Sequence, residues 1–118
     1  MAGTLNFDLN ATKLNKPLKY QLNKAIALIK TNPRLIIRFE SHTDCRAPKH
    51  INEYFSKKRI AILTDYVNSK VEGNRTEGEA FGERKPLNRC VRGIKCSERE
   101  HLMNRRTTFV VTERDSIK

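Results

Sequence analysis

Long apolar runs and aromatic residues are scarce in this chain of 118 residues. No segment approaches the roughly 18 consecutive apolar residues typical of a membrane-spanning helix, so no membrane span is predicted. The first residues, MAGTLNFDLN, carry neither the charged nor the apolar region of a signal peptide, which leaves the cellular location open. Aromatic residues make up 7% of the chain, and this argues mildly against a stacking platform for single-stranded nucleic acid.

Acidic residues are also in the minority, with 13 Asp and Glu against 24 Lys and Arg. The net charge of +11 favours a polyanionic partner, which would be nucleic acid, acidic lipid headgroups or a carboxylate-rich polymer. The mean hydropathy is −0.67, yet apolar residues recur in patterned clusters, so the chain should fold. We expect a single domain over residues 1–118, with residues 1–4 and 113–118 frayed.

Periodicity predicts alternating strands and helices along the chain. The predicted strands cover residues 5–10, 34–41 and 107–112, with a candidate short strand at 75–81, and the predicted helices begin at Pro17, near Asn52 and at 98. Ser97 and Glu100 form the capping box of the last helix. The first strand, helix and strand suggest a right-handed crossover between two paired parallel strands.

Arg59 falls in the centre of an apolar stripe on the second helix. The stripe contains Phe55, Ile62, Leu63 and Tyr66. An unpaired buried charge costs several kcal/mol, so Arg59 needs an anion. One arrangement is an internal salt bridge with Asp44, in the preceding loop. The other is a pocket in which Asp44 receives an ammonium group and Arg59 binds a carboxylate, as the headgroup of an amino acid would require.

The residues around this pair resemble the OmpA-like C-terminal peptidoglycan-binding domain. Its pattern of HTD, YN, LS and RA is matched by His42-Thr43-Asp44, Asn52, Ser56 and Arg59, with the same separation of fifteen positions between the aspartate and the arginine. FDLN at 7–10, FGE at 81–83 and NRR at 104–106 are similar to three further motifs of the family, in order. NRCVRGIKCSEREH, at 88–101, resembles a version of the domain common among Bacteroidetes.

This resemblance implies an α/β sandwich of the order β-α-β-α-β-(α)-β, with a small mixed sheet covered on one face by helices. It implies non-covalent binding of peptidoglycan through the diaminopimelate residue of the stem peptide. The protein would then anchor an outer-membrane or periplasmic protein to the cell wall. We accordingly expect a periplasmic, cell-wall-facing location and a chain excised from a larger envelope protein.

The resemblance also assigns the site residues. Asp44 would take the ammonium group of diaminopimelate, and Arg59 would take its carboxylate. Hydrogen-bonding or wall positions would be filled by Asn10, Thr43, Asn52, Phe55 and Arg105. For Asn10 and Asn52, a turn or a helix cap is an equally good interpretation.

The chain departs from the family pattern at four positions and adds three cysteines. The departures are Ala47 for glycine, Ile51 for tyrosine, Phe55 for leucine and Ile60 for alanine. Cys90 and Cys96 could form a disulfide in an oxidising compartment, leaving Cys45 unpaired. With Cys45 and His101 they could instead bind zinc, although six positions exceed the usual spacing of about three to five.

The sequence contains no catalytic signature. No nucleophile, carboxylate pair or phosphate-binding loop stands out, and His42 and His50 are interpreted as turn or structural residues. We therefore predict neither an enzyme nor a cofactor. The alternative function is a basic nucleic-acid-binding domain, which depends on net charge alone; with peptidoglycan as the partner, no nucleic acid is expected.

Overall fold

The computed structural model describes residues 1–7 and 11–114. The elements within these residues are β1 (Ala2–Leu5), α1 (Lys16–Ile29), β2 (Leu35–His42), α2 (Lys49–Asn68), β3 (Thr76–Gly82), α3 (Glu98–Asn104) and β4 (Arg106–Glu113). The strands form one mixed sheet in the order β1-β4-β2-β3, in which β2 and β3 are parallel and β4 is antiparallel to β1 and β2. The predicted α/β fold is confirmed.

The N-terminal strand differs from the prediction in position and in pairing. It covers Ala2–Leu5 instead of 5–10, so residues 1–4 belong largely to the sheet and are not frayed. Glu113, where the frayed tail was predicted to begin, pairs with Leu35 inside the sheet. The predicted pairing of β1 with β2 was wrong, because β4 lies between them and hydrogen-bonds to both.

Helix α1 begins where its sequence provides a cap. The side chain of Asn15 accepts a hydrogen bond from the backbone N–H of Leu18 at 3.0 Å, and Pro17 occupies the first turn, where its missing N–H costs nothing. The buried face is the predicted one: Leu18, Leu22, Ala25, Ile26 and Ile29. This face packs on the sheet in a core that includes Ile37, Phe39 and Phe109.

Helix α2 buries a different stripe from the one predicted. Its buried residues are Asn52, Ser56, Arg59, Leu63 and Val67, whereas Phe55, Ile62 and Tyr66 are half-buried beside them. The Ser56 hydroxyl donates to the Ser41 carbonyl at 2.7 Å and accepts from the Gly82 N–H at 3.1 Å. The N-terminal half of α2 therefore turns polar side chains towards the ends of β2 and β3. No helix within the described residues has both the length and the hydropathy of a membrane span.

Candidate functional site

A pocket of about 340 Å³ opens beside the C-terminal end of β2. It is lined by Thr43, Asp44, Arg46, Ala47, Asn52, Phe55, Arg59 and Arg105. We call it the Asp44 pocket. It brings together six of the seven residues that the resemblance assigned to the site, and the seventh, Asn10, lies outside the described residues. Arg46 is a lining residue that the sequence reasoning did not select.

Asp44 is buried and held by Arg46. Its side chain accepts a hydrogen bond from the Arg46 backbone N–H at 3.0 Å and another from the Arg46 guanidinium at 2.8 Å. Arg46 also pairs with Glu98 of α3. Burial raises the pKa of the Asp44 carboxyl, but the hydrogen bonds and charge of Arg46 outweigh burial, so the pKa lies below its usual value. Asp44 is therefore ionised at neutral pH.

The ion pair of Asp44 excludes one of the two arrangements considered for Arg59. Within residues 1–7 and 11–114, Asp44 forms its salt bridge with Arg46 and not with Arg59. Both Asp44 and Arg59 instead face the same cavity. The internal Asp44–Arg59 bridge is thus not the arrangement that the protein adopts.

Arg59 is 3% exposed and stacks against aromatic rings. The guanidinium carbon lies 5.2 Å from the centre of the Phe7 ring and 5.9 Å from that of Phe55, and Nε donates to the Ala11 carbonyl at 3.2 Å. Burial lowers the pKa of Arg59, and the nearby charge of Arg105 lowers it further. The group still remains charged, because an arginine keeps its proton in proteins. It is a buried cation on the pocket wall.

Thr43 contributes a buried hydroxyl to the same wall. Its backbone N–H donates to the Gly82 carbonyl at 2.8 Å, which fixes the start of the loop after β2. Its Oγ1 has no hydrogen-bond partner among the described residues. A buried hydroxyl without a partner is uncommon in folded proteins and can bond with a polar group that enters the pocket.

Asn52 holds in place the loop after β2, residues 43–48, which we call the pocket loop. Its Nδ2 donates to the Ala47 carbonyl at 3.1 Å and to Oε1 of Glu83 at 3.2 Å. The helix-cap interpretation of Asn52 is wrong, because Pro48 occupies the N-cap of α2. Because Nδ2 already donates these two hydrogen bonds, the side-chain oxygen of Asn52 is the atom that could contact a ligand.

The cysteines and His42 do not line the Asp44 pocket. Cys90 and Cys96 form a disulfide, and Cys45 is a buried thiol. The structure does not assemble the suggested zinc site, because the one cluster of possible ligand atoms in the described part of the chain joins the bridged cysteines with Glu100 and includes neither Cys45 nor His101. His42 stacks on Phe81 with ring centres 4.9 Å apart.

Comparisons with known proteins agree on the fold. No family model matches the chain, and no curated protein sequence matches it. Among solved structures, the peptidoglycan-associated lipoprotein from Burkholderia pseudomallei superposes with a TM-score of 0.77 at 20% identity, covering 92% of this chain and 89% of that one. A MotB-like protein from Desulfovibrio vulgaris gives 0.73 at 23% identity, covering 92% and 69%.

A third structure with the same architecture is the cell wall anchor of the T6SS from Pseudomonas aeruginosa. It gives a TM-score of 0.67 at 15% identity, covering 92% of this chain and 75% of that one. The chain therefore has the fold shared by the peptidoglycan-associated lipoprotein, the MotB-like protein and this cell wall anchor, which is the fold that the sequence resemblance predicted.

Proposed function

We propose that this protein binds peptidoglycan non-covalently, through the diaminopimelate residue of the stem peptide. The observation that carries the proposal is the Asp44 pocket, where a buried carboxylate and a buried guanidinium face one cavity. The side chain of diaminopimelate ends in an ammonium and a carboxylate on the same carbon, so its two charges complement those of Asp44 and Arg59. The fold supports the broader function, because it is shared with a peptidoglycan-associated lipoprotein and a cell wall anchor.

The contacts of each side chain are compatible with this ligand. A carboxylate has about four lone-pair positions, and Arg46 uses two of those of Asp44, so an ammonium group can bind without displacing Arg46. Arg59 offers a planar donor fork for the carboxylate. The Thr43 hydroxyl can bond with either charged group, and Phe55 provides an apolar wall. All these contacts are non-covalent, so binding requires neither a cofactor nor a nucleophile.

This function places the protein in the periplasm, facing the cell wall. There the domain would tether an outer-membrane-associated or periplasmic protein to the peptidoglycan. The net charge of +11 would add a weaker attraction to anionic wall polymers at low ionic strength.

Pulldown on insoluble peptidoglycan tests the proposed function. We expect Asp44→Asn and Arg59→Gln each to abolish measurable retention, because removing one partner of a buried charge contact costs about 2 to 5 kcal/mol. A micromolar interaction has a total binding free energy of about 8 kcal/mol, so a loss of that size makes the remaining affinity too weak to detect by pulldown.

Two exposed residues supply matched controls for these substitutions. Asp65→Asn on α2 and Arg99→Gln on α3 make the same charge changes outside the pocket and should be retained like the unmodified protein. Circular dichroism must show that every variant is folded. Full retention of both folded pocket variants would overturn the proposed function.

A further inference from the structure

The loop closed by the disulfide reaches the Asp44 pocket. The Cys90–Cys96 bridge encloses five residues, and one of them, Arg92, donates a hydrogen bond from Nη2 to the Ala47 carbonyl at 2.5 Å. Ala47 lines the pocket and lies 45 positions earlier in the sequence. The disulfide loop, residues 90–96, is thus in direct contact with the pocket loop.

Arg92 belongs to a closed network around the Ala47 carbonyl. It pairs with Glu83, whose Oε2 accepts from Nε of Arg92 at 3.2 Å. Oε1 of Glu83 accepts from Asn52, which also donates to the Ala47 carbonyl. The Glu83 side chain is only 12% exposed, whereas that of Arg92 is 42% exposed. Arg92 therefore lies between these buried hydrogen bonds and the solvent.

The base of the disulfide loop is attached to the end of α3. The side-chain oxygen of Asn88 accepts from the Cys90 N–H at 3.0 Å and from Nδ2 of Asn104 at 2.9 Å. Asn104 is buried, and the next residue, Arg105, lines the pocket. The disulfide loop consequently links the end of α3 to the loop after β2.

We propose that Arg92 is a positioning residue for the Asp44 pocket and that the Cys90–Cys96 disulfide sets the affinity of the pocket by holding Arg92 in place. This inference rests on the proposed function, since it concerns the same site. The bridge reduces the number of conformations open to the loop, so less entropy is lost when Arg92 binds the Ala47 carbonyl. A pocket loop that is already ordered binds its ligand more tightly than one that must be ordered on binding.

Calorimetric titration with a diaminopimelate-containing stem peptide tests the proposal. We expect Arg92→Ala to weaken binding about three- to tenfold. Without Arg92, the ligand must order a few groups of the pocket loop when it binds, and this costs affinity. Arg92→Lys should recover part of the loss, because lysine keeps one charged donor. Lys95→Ala is the matched control: it removes the same charge from the same loop, and the Lys95 side chain makes no hydrogen bond or ion pair with the described residues. It should bind like the unmodified protein.

Removing the disulfide tests the second half of the proposal. The Cys90→Ser/Cys96→Ser variant should lose affinity to the same extent as Arg92→Ala, and adding Arg92→Ala to it should cause little further loss, because both changes act through one contact. A stem peptide that binds Arg92→Ala as tightly as the unmodified protein would overturn the role of Arg92. Unchanged affinity of the folded double-serine variant would overturn the role of the bridge.

Hydrogen exchange without ligand separates this inference from the proposed function. In Arg92→Ala and in the double-serine variant, backbone amides of residues 45–47 and 49–52 should exchange faster than in the unmodified protein and in Lys95→Ala. If the unmodified protein fails to bind stem peptide, the proposed function fails while this measurement still decides whether Arg92 orders the loop. Unchanged exchange in Arg92→Ala would then overturn the inference.

Discussion

The arginines of the Asp44 pocket are stabilised in different ways. Arg46 is neutralised by two carboxylates, those of Asp44 and Glu98, and this pairing raises its pKa. Arg59 is desolvated against the rings of Phe7 and Phe55, and burial lowers its pKa. Arg46 therefore keeps Asp44 ionised and in position, whereas Arg59 is a buried positive charge that lines the same cavity.

His42, adjacent to the pocket, makes stability depend on pH. It is 2% exposed, and burial, followed by the charge of Arg106, lowers its pKa from the ordinary value of 6.5, although Glu40 acts in the opposite direction. The unfolded chain therefore binds a proton that the folded protein does not. We expect the contribution of His42 to the free energy of unfolding to be fully present above about pH 6.5 and to be lost as the pH drops from there towards the lower pKa of the folded state.

Urea denaturation between pH 8 and pH 5 measures this dependence. The substitution His42→Gln should flatten the slope below pH 6.5. His50→Gln, at an exposed histidine of α2, is the matched control and should leave the slope unchanged. Equal slopes for the unmodified protein and for His42→Gln would contradict the account of His42.

The residues of the pocket differ in how far the sequence could predict them. Asp44 and Arg59 could be selected because a charge on an apolar helical stripe needs a partner or a ligand. Arg46 had a local signal that was missed, since an arginine two positions after an aspartate can donate its backbone N–H to the aspartate side chain. Arg92 had no local signal, because its contact with Ala47 exists only once two distant loops meet.

At the scale of elements, α2 and β3 fit together through Ile60 and Gly78. Ile60 stands where the family pattern has alanine, and it packs against the core from α2. A Cβ placed on Gly78 would lie 2.6 Å from Cγ2 of Ile60, which is closer than atoms of this kind can approach. The glycine in β3 thus provides the space that the larger side chain on α2 requires.

A double-mutant cycle measures this fit. We expect Gly78→Ala to lower the free energy of unfolding by about 1 to 3 kcal/mol, because the added methyl group overpacks the contact. In an Ile60→Ala background, Gly78→Ala should cost at least about 0.5 kcal/mol less, since the conflicting methyl group is gone. Chemical denaturation of the four proteins gives the cycle, and strictly additive effects would refute the steric explanation.

The elements themselves were largely predictable, and their boundaries less so. Pro17 and the apolar face predicted α1, and the capping box of Ser97 and Glu100 predicted α3. The α2 stripe was misplaced because hydrophobicity alone was used to locate it. Asn52, Ser56 and Arg59 are polar but face inwards towards the site, so the buried side could be identified only with the site.

At the scale of the whole molecule, the order of strands was not readable from local patterns. The sequence β1-α1-β2 favoured neighbouring parallel strands, but β4 inserts between β1 and β2. β4 is the last strand in the chain, and its pairings with Ala2–Leu5 and Leu35–His42 join residues far apart in sequence. Alternation of side chains predicts that a strand exists and does not identify its partners.

The net charge of +11 leaves nucleic acid as the competing type of partner. Binding to nucleic acid through counterion release would fall steeply with salt concentration and would not need Asp44. The proposed binding in the Asp44 pocket would depend on a buried carboxylate and a buried guanidinium, which salt screens much less. A specificity measurement at a fixed, moderate salt concentration therefore separates the two.

The most direct test of the central claim is a calorimetric titration with stem peptides that carry either diaminopimelate or lysine at the same position. It should be run at about 150 mM salt, where surface attraction is screened beyond about 8 Å. Lysine keeps the ammonium group for Asp44 but lacks the carboxylate for Arg59. We predict that the lysine peptide binds about ten- to hundredfold more weakly, corresponding to a loss of about 1.5 to 3 kcal/mol. Equal affinity for the two peptides would contradict the claim that Arg59 binds the side-chain carboxylate of diaminopimelate.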